Sequence, residues 1–265
     1  MIATTRLAFL LVAIAACSSA LDEPPPLSAI APHREGGRSA DDLVRDADAA
    51  WAQRGRSGQA AIAQALYLDA VAADEHRVDT LLGAMRAISY RIENEPGVMK
   101  SDLAKQAVEL GQWCRRRAPT NAECDYRLAI ALGEQARERP STGMDAVSKM
   151  VDLLRRAIAA APRLDSAGPH RVLALLLLRA PSWPVGPGDN SAGLDEARAA
   201  VQLFPNAPAN LLALGEALVS TGERAQARDT YRKALAQATA ARDAGDPEGA
   251  SWVAQAHQGL EHASE

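Results

Sequence analysis

Aromatic residues make up only 4% of the 265-residue chain, and the alternating runs rich in Val, Ile and Thr that form strands are missing. Nothing in the sequence suggests a sheet. Basic charge is not in excess either: a formal net charge of −4 excludes the electrostatic footprint of a nucleic-acid-binding protein. The histidines do not gather. His257 and His262 are separated by about 140° around a helix, so they cannot share a metal on one face, and no Cys or carboxylate set has metal-ligand spacing. There is no G-x-S-x-G elbow, no G-x-x-x-x-G-K phosphate loop and no H-E-x-x-H. Acidic pairs such as Asp41-Asp42 and Asp195-Glu196 stand at helix starts, where the helix dipole favours them. These absences argue against an enzyme, a metal centre or a cofactor. What dominates is alanine and leucine, an all-helical composition.

The stretch from Asn206 to Thr239 carries the strongest pattern. Leu211, Leu214, Gly215 and Leu218 fall at i, i+3, i+4 and i+7, one apolar stripe on a first helix. Gly222 makes a turn, and a second helix from Glu223 to Ala241 places Ala227, Tyr231, Ala234 and Leu235 on one side. Gly215 and Ala227 let the two axes approach, and Tyr231 fills the space beside them. This spacing fits a tetratricopeptide repeat. One such pair cannot bury its stripe alone and needs stacked neighbours.

Those neighbours are legible upstream. Asp41–Arg54 pairs with Gln59–Asp74, His76–Glu93 with Lys100–Arg117, Ala122–Ala136 with Asp145–Ala161, and Pro169–Leu178 with Leu194–Phe204. Pro119, Pro162 and Pro205 recur 43 residues apart, longer than the ~34 of an ordinary repeat. The extra residues are expected in inserts at Asn94–Met99, Arg137–Met144 and Arg179–Gly193. A last helix, Glu248–His262, reads as a cap. The expected fold is therefore all-α: a tetratricopeptide-like α-solenoid of about five helix pairs plus a C-terminal capping helix, occupying residues 41–265 as one domain.

The N-terminus has a different character. A short basic segment ending at Arg6 precedes an apolar run, Leu7–Ala16, too short to cross a bilayer and suited to a signal peptide over residues 1–16. The run ends Ile14-Ala15-Ala16-Cys17, which resembles a bacterial lipobox. The resemblance implies that Cys17 becomes the acylated first residue of the mature protein, anchored firmly by several chains. Ser18, with no aspartate in that position, resembles the sorting signal of outer-membrane lipoproteins. Residues 17–40, with a proline triplet and a glycine pair, read as the lipidated Cys and a disordered tether reaching roughly 70 Å from the bilayer if fully extended. The expected location is the periplasm of a Gram-negative bacterium, with the lipid as the sole membrane contact. Cys114 and Cys124 then remain as an even pair in an oxidising compartment: either a disulfide stapling two adjacent helices or two buried thiols.

Two inserts carry a further likeness. Ala136-Arg-Glu-Arg-Pro-Ser-Thr-Gly143, then Gly168-Pro169-His170-Arg171, then Arg179-Ala-Pro-Ser-Trp-Pro-Val-Gly-Pro-Gly-Asp189 follow one another in an order that resembles the periplasmic T component associated with tripartite ATP-independent periplasmic (TRAP) transporters. That family consists of lipidated tetratricopeptide proteins. The resemblance implies association with the transporter's solute-binding protein, a homo-trimer with a central pore, and a passage for a hydrophobic ligand. A longer proline-rich tether and Trp51 in the first pair depart from the family pattern.

Candidate binding residues lie in these inserts. Trp183 is either an anchor in the concave groove or a plug packing its loop onto its own helices. Gly186–Asn190 either offers amides to an anion or caps the next helix through Asp189 or Asn190. Arg179, Arg137 and Arg139, with Ser141 and Thr142, line the groove or simply join helices. Arg115, Arg116 and Arg117 read either as a solvated helix C-terminus or as a contact for phosphate or a lipid headgroup. The expected activity is binding: a transporter-associated scaffold, a general envelope adaptor, or a carrier of a small hydrophobic ligand.

Overall fold

The computed structural model describes residues 19–31 and 37–264. The signal segment and Cys17 lie outside them. Among the described residues twelve α-helices follow one another, and no named strand occurs. A short α1 (Leu27–Ile30) precedes five helix pairs: α2 (Ala40–Ala52) with α3 (Gln59–Ala73), α4 (Val78–Asn94) with α5 (Lys100–Arg117), α6 (Ala122–Glu138) with α7 (Gly143–Ala160), α8 (Gly168–Arg179) with α9 (Asn190–Leu203), and α10 (Pro208–Ser220) with α11 (Arg224–Asp243). The cap is α12 (Gly249–His262). The architecture is the expected tetratricopeptide-like solenoid.

Local chemistry sets the boundaries. The Ser39 side chain accepts from the amide of Asp42, Asn121 from Glu123 and Cys124, and Asp189 from Ala192, satisfying amides that the first turn leaves free. Between the helices of the first, second and fifth pairs, Gly58, Gly97 and Gly222 adopt φ values of 78, 77 and 83°, which side chains with a Cβ rarely adopt. One expectation is corrected. Much of the additional length of the repeat is helix rather than insert, because α4 to α7 run 17 or 18 residues each. The middle insert shrinks to a 3₁₀ turn at Pro140–Thr142. Only the segment between α8 and α9 stays an extended loop.

Tyrosines and glycines interlock the stack. A Cβ on Gly83 would come within 2.5 Å of the Tyr67 ring, and one on Gly168 within 2.3 Å of the Tyr126 hydroxyl. Tyr231 is held between two glycines, Gly215 and Gly259, whose added Cβ atoms would approach its ring to 2.6 and 2.2 Å. The ring thus fits a slot that only two bare backbones can form.

First helices of neighbouring pairs touch (α4 with α6, α8 with α10, and α10 with α12), placing them on the concave side. The second helices splay apart on the convex side, and residues 19–31, expected as part of a disordered tether over 17–40, are packed there instead; residues 17–18 and 32–36 of that tether lie outside the described residues. The packed segment forms a strap, with α1 lodged against both α3 and α5. Ala20, Leu27, Ile30 and Ala31 are all buried and belong to the main core cluster. The wedge between two diverging helices exposes apolar surface, and a short segment carrying two large aliphatic side chains covers it.

Candidate functional site

The two ends of the solenoid meet. Gly55, in the turn after α2, packs against Pro247 in the turn before α12, and Arg54 reaches Glu248 at 3.6 Å. Arg54 also stacks over Trp51, 4.7 Å from the ring centroid, and lies 5.7 Å from that of Tyr90. Trp51 and Tyr90 themselves pack edge to face at 5.7 Å, and Arg86 approaches Trp51 at 5.8 Å. Arg86 Nε is buried without a hydrogen-bond partner. Burial pushes the Glu248 carboxyl above its ordinary range, against the pull of Arg54. The result is a half-buried cluster of two aromatics and two guanidiniums where the inner helices α2 and α4 face the last turn. Cation–aromatic stacking holds these side chains in place, with Arg54 also paired to Glu248.

A second hub lies at the turn between α7 and α8, where Asp165, Ser166 and Ala167 all have positive φ, at 49, 54 and 64°. Such backbone is unfavourable by roughly 1–2 kcal/mol per residue and needs external support. Tyr126 donates to Asp165 at 2.7 Å, Arg171 lies 3.6 Å from the same carboxylate, and buried Asn210 donates to Ser166 O at 2.9 Å. Asn210 also donates to Ala200 O and accepts from Arg171, so the last pair is tied into this turn.

The inserts do not converge into one site. Arg179 makes two parallel bonds of 2.7 Å to Glu216, linking α8 to α10, and Arg137 pairs with Glu93, linking α6 to α4. Both are rungs between successive inner helices. Arg139 is exposed and, with Ala20, Asp22 and Glu23, lines a small cavity under the strap. Asp189 is a helix cap, so its carboxylate occupies the amides an anion would have used. Trp183 is 86% exposed, which overturns the expected plug: the indole does not pack its loop onto its own helices. A cavity of about 320 Å³ lies elsewhere, between Ile30 and the α5 residues Asp102–Glu109.

The arginine run also differs from expectation. Arg115 Nε is 2.7 Å from the buried Asp125, which Arg156 approaches at 2.9 Å from α7. Arg116 pairs with Glu23 of the strap, and Arg117 lies 3.5 Å from Glu75. These are structural pairings, not a solvated terminus. Beside them Cys114 and Cys124 form a disulfide across the α5–α6 turn, with Cα atoms 5.5 Å apart. Sequence reasoning named Trp51 as a departure from the family pattern and did not single out Arg54, Arg86 or Tyr90. The i, i+3 spacing of Trp51 and Arg54 was the available signal. Among the described residues, no group of three or more His, Cys, Asp or Glu could hold a metal ion, and no helix is long and apolar enough to cross a membrane.

Several solved structures share this architecture. The chain is similar to TTC0263, a thermophilic tetratricopeptide protein of Thermus thermophilus, at a TM-score of 0.63 and 19% identity, covering 84% of this chain and 99% of that one. It is also similar to PilF of Pseudomonas aeruginosa (TM-score 0.52, 18% identity, 80% and 88% covered) and to MamA of Desulfovibrio magneticus (TM-score 0.52, 15% identity, 76% and 96% covered). At these identities the likeness establishes the fold alone. No protein-family model and no curated protein sequence matches the chain.

Proposed function

We propose that this protein is a lipid-anchored periplasmic scaffold that binds a protein partner on its concave side, with Cys17 acylated and inserted in the outer membrane. The observation that carries the binding role is the Trp51–Arg54–Arg86–Tyr90 cluster, where guanidiniums stack on aromatic rings at the meeting of the first pair and the cap. Such a cluster suits carboxylate or carbonyl groups on an extended segment of a partner. The insert motifs that resemble the TRAP-associated T component make a periplasmic solute-binding subunit the proposed partner. The same resemblance supports a homo-trimer as the assembled form. A carrier of a small hydrophobic ligand is less favoured, because Trp183 stands in solvent rather than over an apolar passage.

The test is affinity capture from periplasm with the mature chain and its Arg54→Ala variant, with captured proteins identified by mass spectrometry. A solute-binding subunit retained by the wild type, and roughly tenfold less by the variant, is the expected result. Recovery of an envelope-assembly component instead would replace the transporter reading with the adaptor reading. Equal capture by both proteins would remove the concave cluster from the binding site.

A further inference from the structure

Five large apolar side chains stand out from the described surface: Ile62, Met99, Met144, Trp183 and Val185, at 47, 69, 42, 86 and 60% exposure. In sequence they are scattered from the first pair to the fourth. In the fold they occupy equivalent positions. Ile62 is in the first turn of α3, Met99 caps α5, Met144 opens α7, and Trp183 and Val185 occupy the loop leading into α9. Each position lies where a first helix hands over to its second. Successive helices alternate in direction, so the handovers of adjacent pairs, at Met99, Met144 and the Trp183 loop, follow one another along one border, whereas the first, beside Ile62, is carried round to Pro247 where the solenoid closes.

The strap leads to the same border. The Ala20 amide donates to Asp145 Oδ2 at 2.6 Å, in the first turn of α7, and Ala20 shares a small cavity with Gln135 and Arg139 at the end of α6. Cys17 precedes Ala20 by three residues, so chain geometry keeps the two Cα atoms within ~11 Å of each other.

The loop bearing Trp183 also has the backbone chemistry that a lipid contact requires. Pro181, Pro184 and Pro187 have no amide hydrogen. The amides of Val185 and Gly186 donate to Ser182 O, that of Gly188 to Pro181 O, and that of Asp189 to Leu177 O, at 2.9 to 3.1 Å. Most donors in the loop are therefore absent or already bonded, and entering an apolar phase leaves few unsatisfied. An exposed indole beside an exposed valine on such a loop suits the headgroup boundary of a bilayer.

We propose that this border is the membrane-contacting edge of the protein. The bilayer that holds the acyl chains of Cys17 takes up Trp183 and Val185 at its interface, with Met144 and Met99 next along the edge. The inference rests on the lipidation of Cys17 proposed above. It replaces a module held far out on a tether with one seated directly on the lipid, its solenoid axis fixed relative to the surface.

The acylated mature chain is reconstituted into vesicles of phosphatidylethanolamine and phosphatidylglycerol with brominated acyl chains, which quench tryptophan emission on contact. The chain has four tryptophans, and the Trp183→Phe variant removes the most exposed without touching the core. The expected result is a quenched component roughly threefold larger in the wild type than in the variant. Equal quenching in an acylated protein overturns the edge assignment and leaves the lipoprotein reading standing. A mass spectrum showing no acyl chain on Cys17 overturns both.

Discussion

The indole Nε1 of Trp113 donates a hydrogen bond of 2.8 Å to the carbonyl oxygen of Pro25, 88 residues earlier in the chain. That contact fastens the strap to α5 midway between its two other anchors, the Ala20–Asp145 bond and the burial of Leu27 and Ile30. Pro24 is buried beside it, and Arg116 pairs with Glu23 on the flank. A proline-rich segment loses little conformational freedom when it is ordered, so a few such contacts suffice to hold it.

Loosening the strap should therefore be measurable. Leu27→Ala removes most of a buried aliphatic side chain and is expected to lower stability by about 2–3 kcal/mol. Trp113→Phe removes one hydrogen bond and is expected to lower it by about 1 kcal/mol. Limited proteolysis is the direct readout: cleavage between residues 20 and 31 should be slow in the wild type and fast in Leu27→Ala. Equal rates would show that the segment is not packed in solution.

Tyr231, wedged between Gly215 and Gly259, gives a sharper test of packing. Alanine is a better helix former than glycine by about 1 kcal/mol, so an unobstructed Gly259→Ala would stabilise α12. Here the new Cβ would lie 2.2 Å from a ring that Gly215 already blocks from behind. The clash should win, with a net loss of about 2 kcal/mol and faster hydrogen exchange across α12. The double variant Gly259→Ala with Tyr231→Leu should recover part of that loss.

Reduction of Cys114–Cys124 opens a loop with a sequence separation of 10 and is expected to cost about 2–3 kcal/mol through the entropy of the unfolded chain. Thermal unfolding with and without reductant should show the shift, and the Cys114→Ser, Cys124→Ser double variant should show no further response to reductant. The neighbouring Arg115–Asp125–Arg156 cluster should keep the α5–α6 turn folded in both cases.

Glu134, on the inner helix α6, is 3% exposed. Burial pushes its carboxyl up to about 7, with a hydrogen bond from Ser89 opposing that shift and Glu93 adding to it. The protonated form is thus favoured in the folded state. The stability this confers is full below the ordinary value of 4.5 and is lost as pH rises through about 7. Glu134→Gln should remove that dependence, so the variant should gain on the wild type by up to about 3 kcal/mol between pH 4.5 and roughly pH 8. Parallel stability profiles for the two proteins would show that the carboxyl is solvated.

Most of the fold was legible because its signals are local. The stripe of Leu211, Leu214, Gly215 and Leu218, the turn glycines and the recurring prolines each act within a few residues, and the helix boundaries follow them closely. Helix lengths were less legible, since whether Arg137 and Glu138 extend α6 or begin a loop depends on the partner helix they reach. For the candidate site, the sequence marked the loop of Trp183 as unusual but could not decide whether the indole would face inward or outward.

The amino-acid sequence by itself determined that this protein is a stack of amphipathic helix pairs with a cap, because periodicity and turn chemistry need no distant information. Only the tertiary structure decided that residues 19–31 are a strap, that Arg54 meets Glu248 across the closure of the solenoid, and that five scattered apolar side chains stay exposed where first helices hand over to second ones. Each of these depends on how far neighbouring helices splay and turn, a property of the whole stack that no short window of residues encodes.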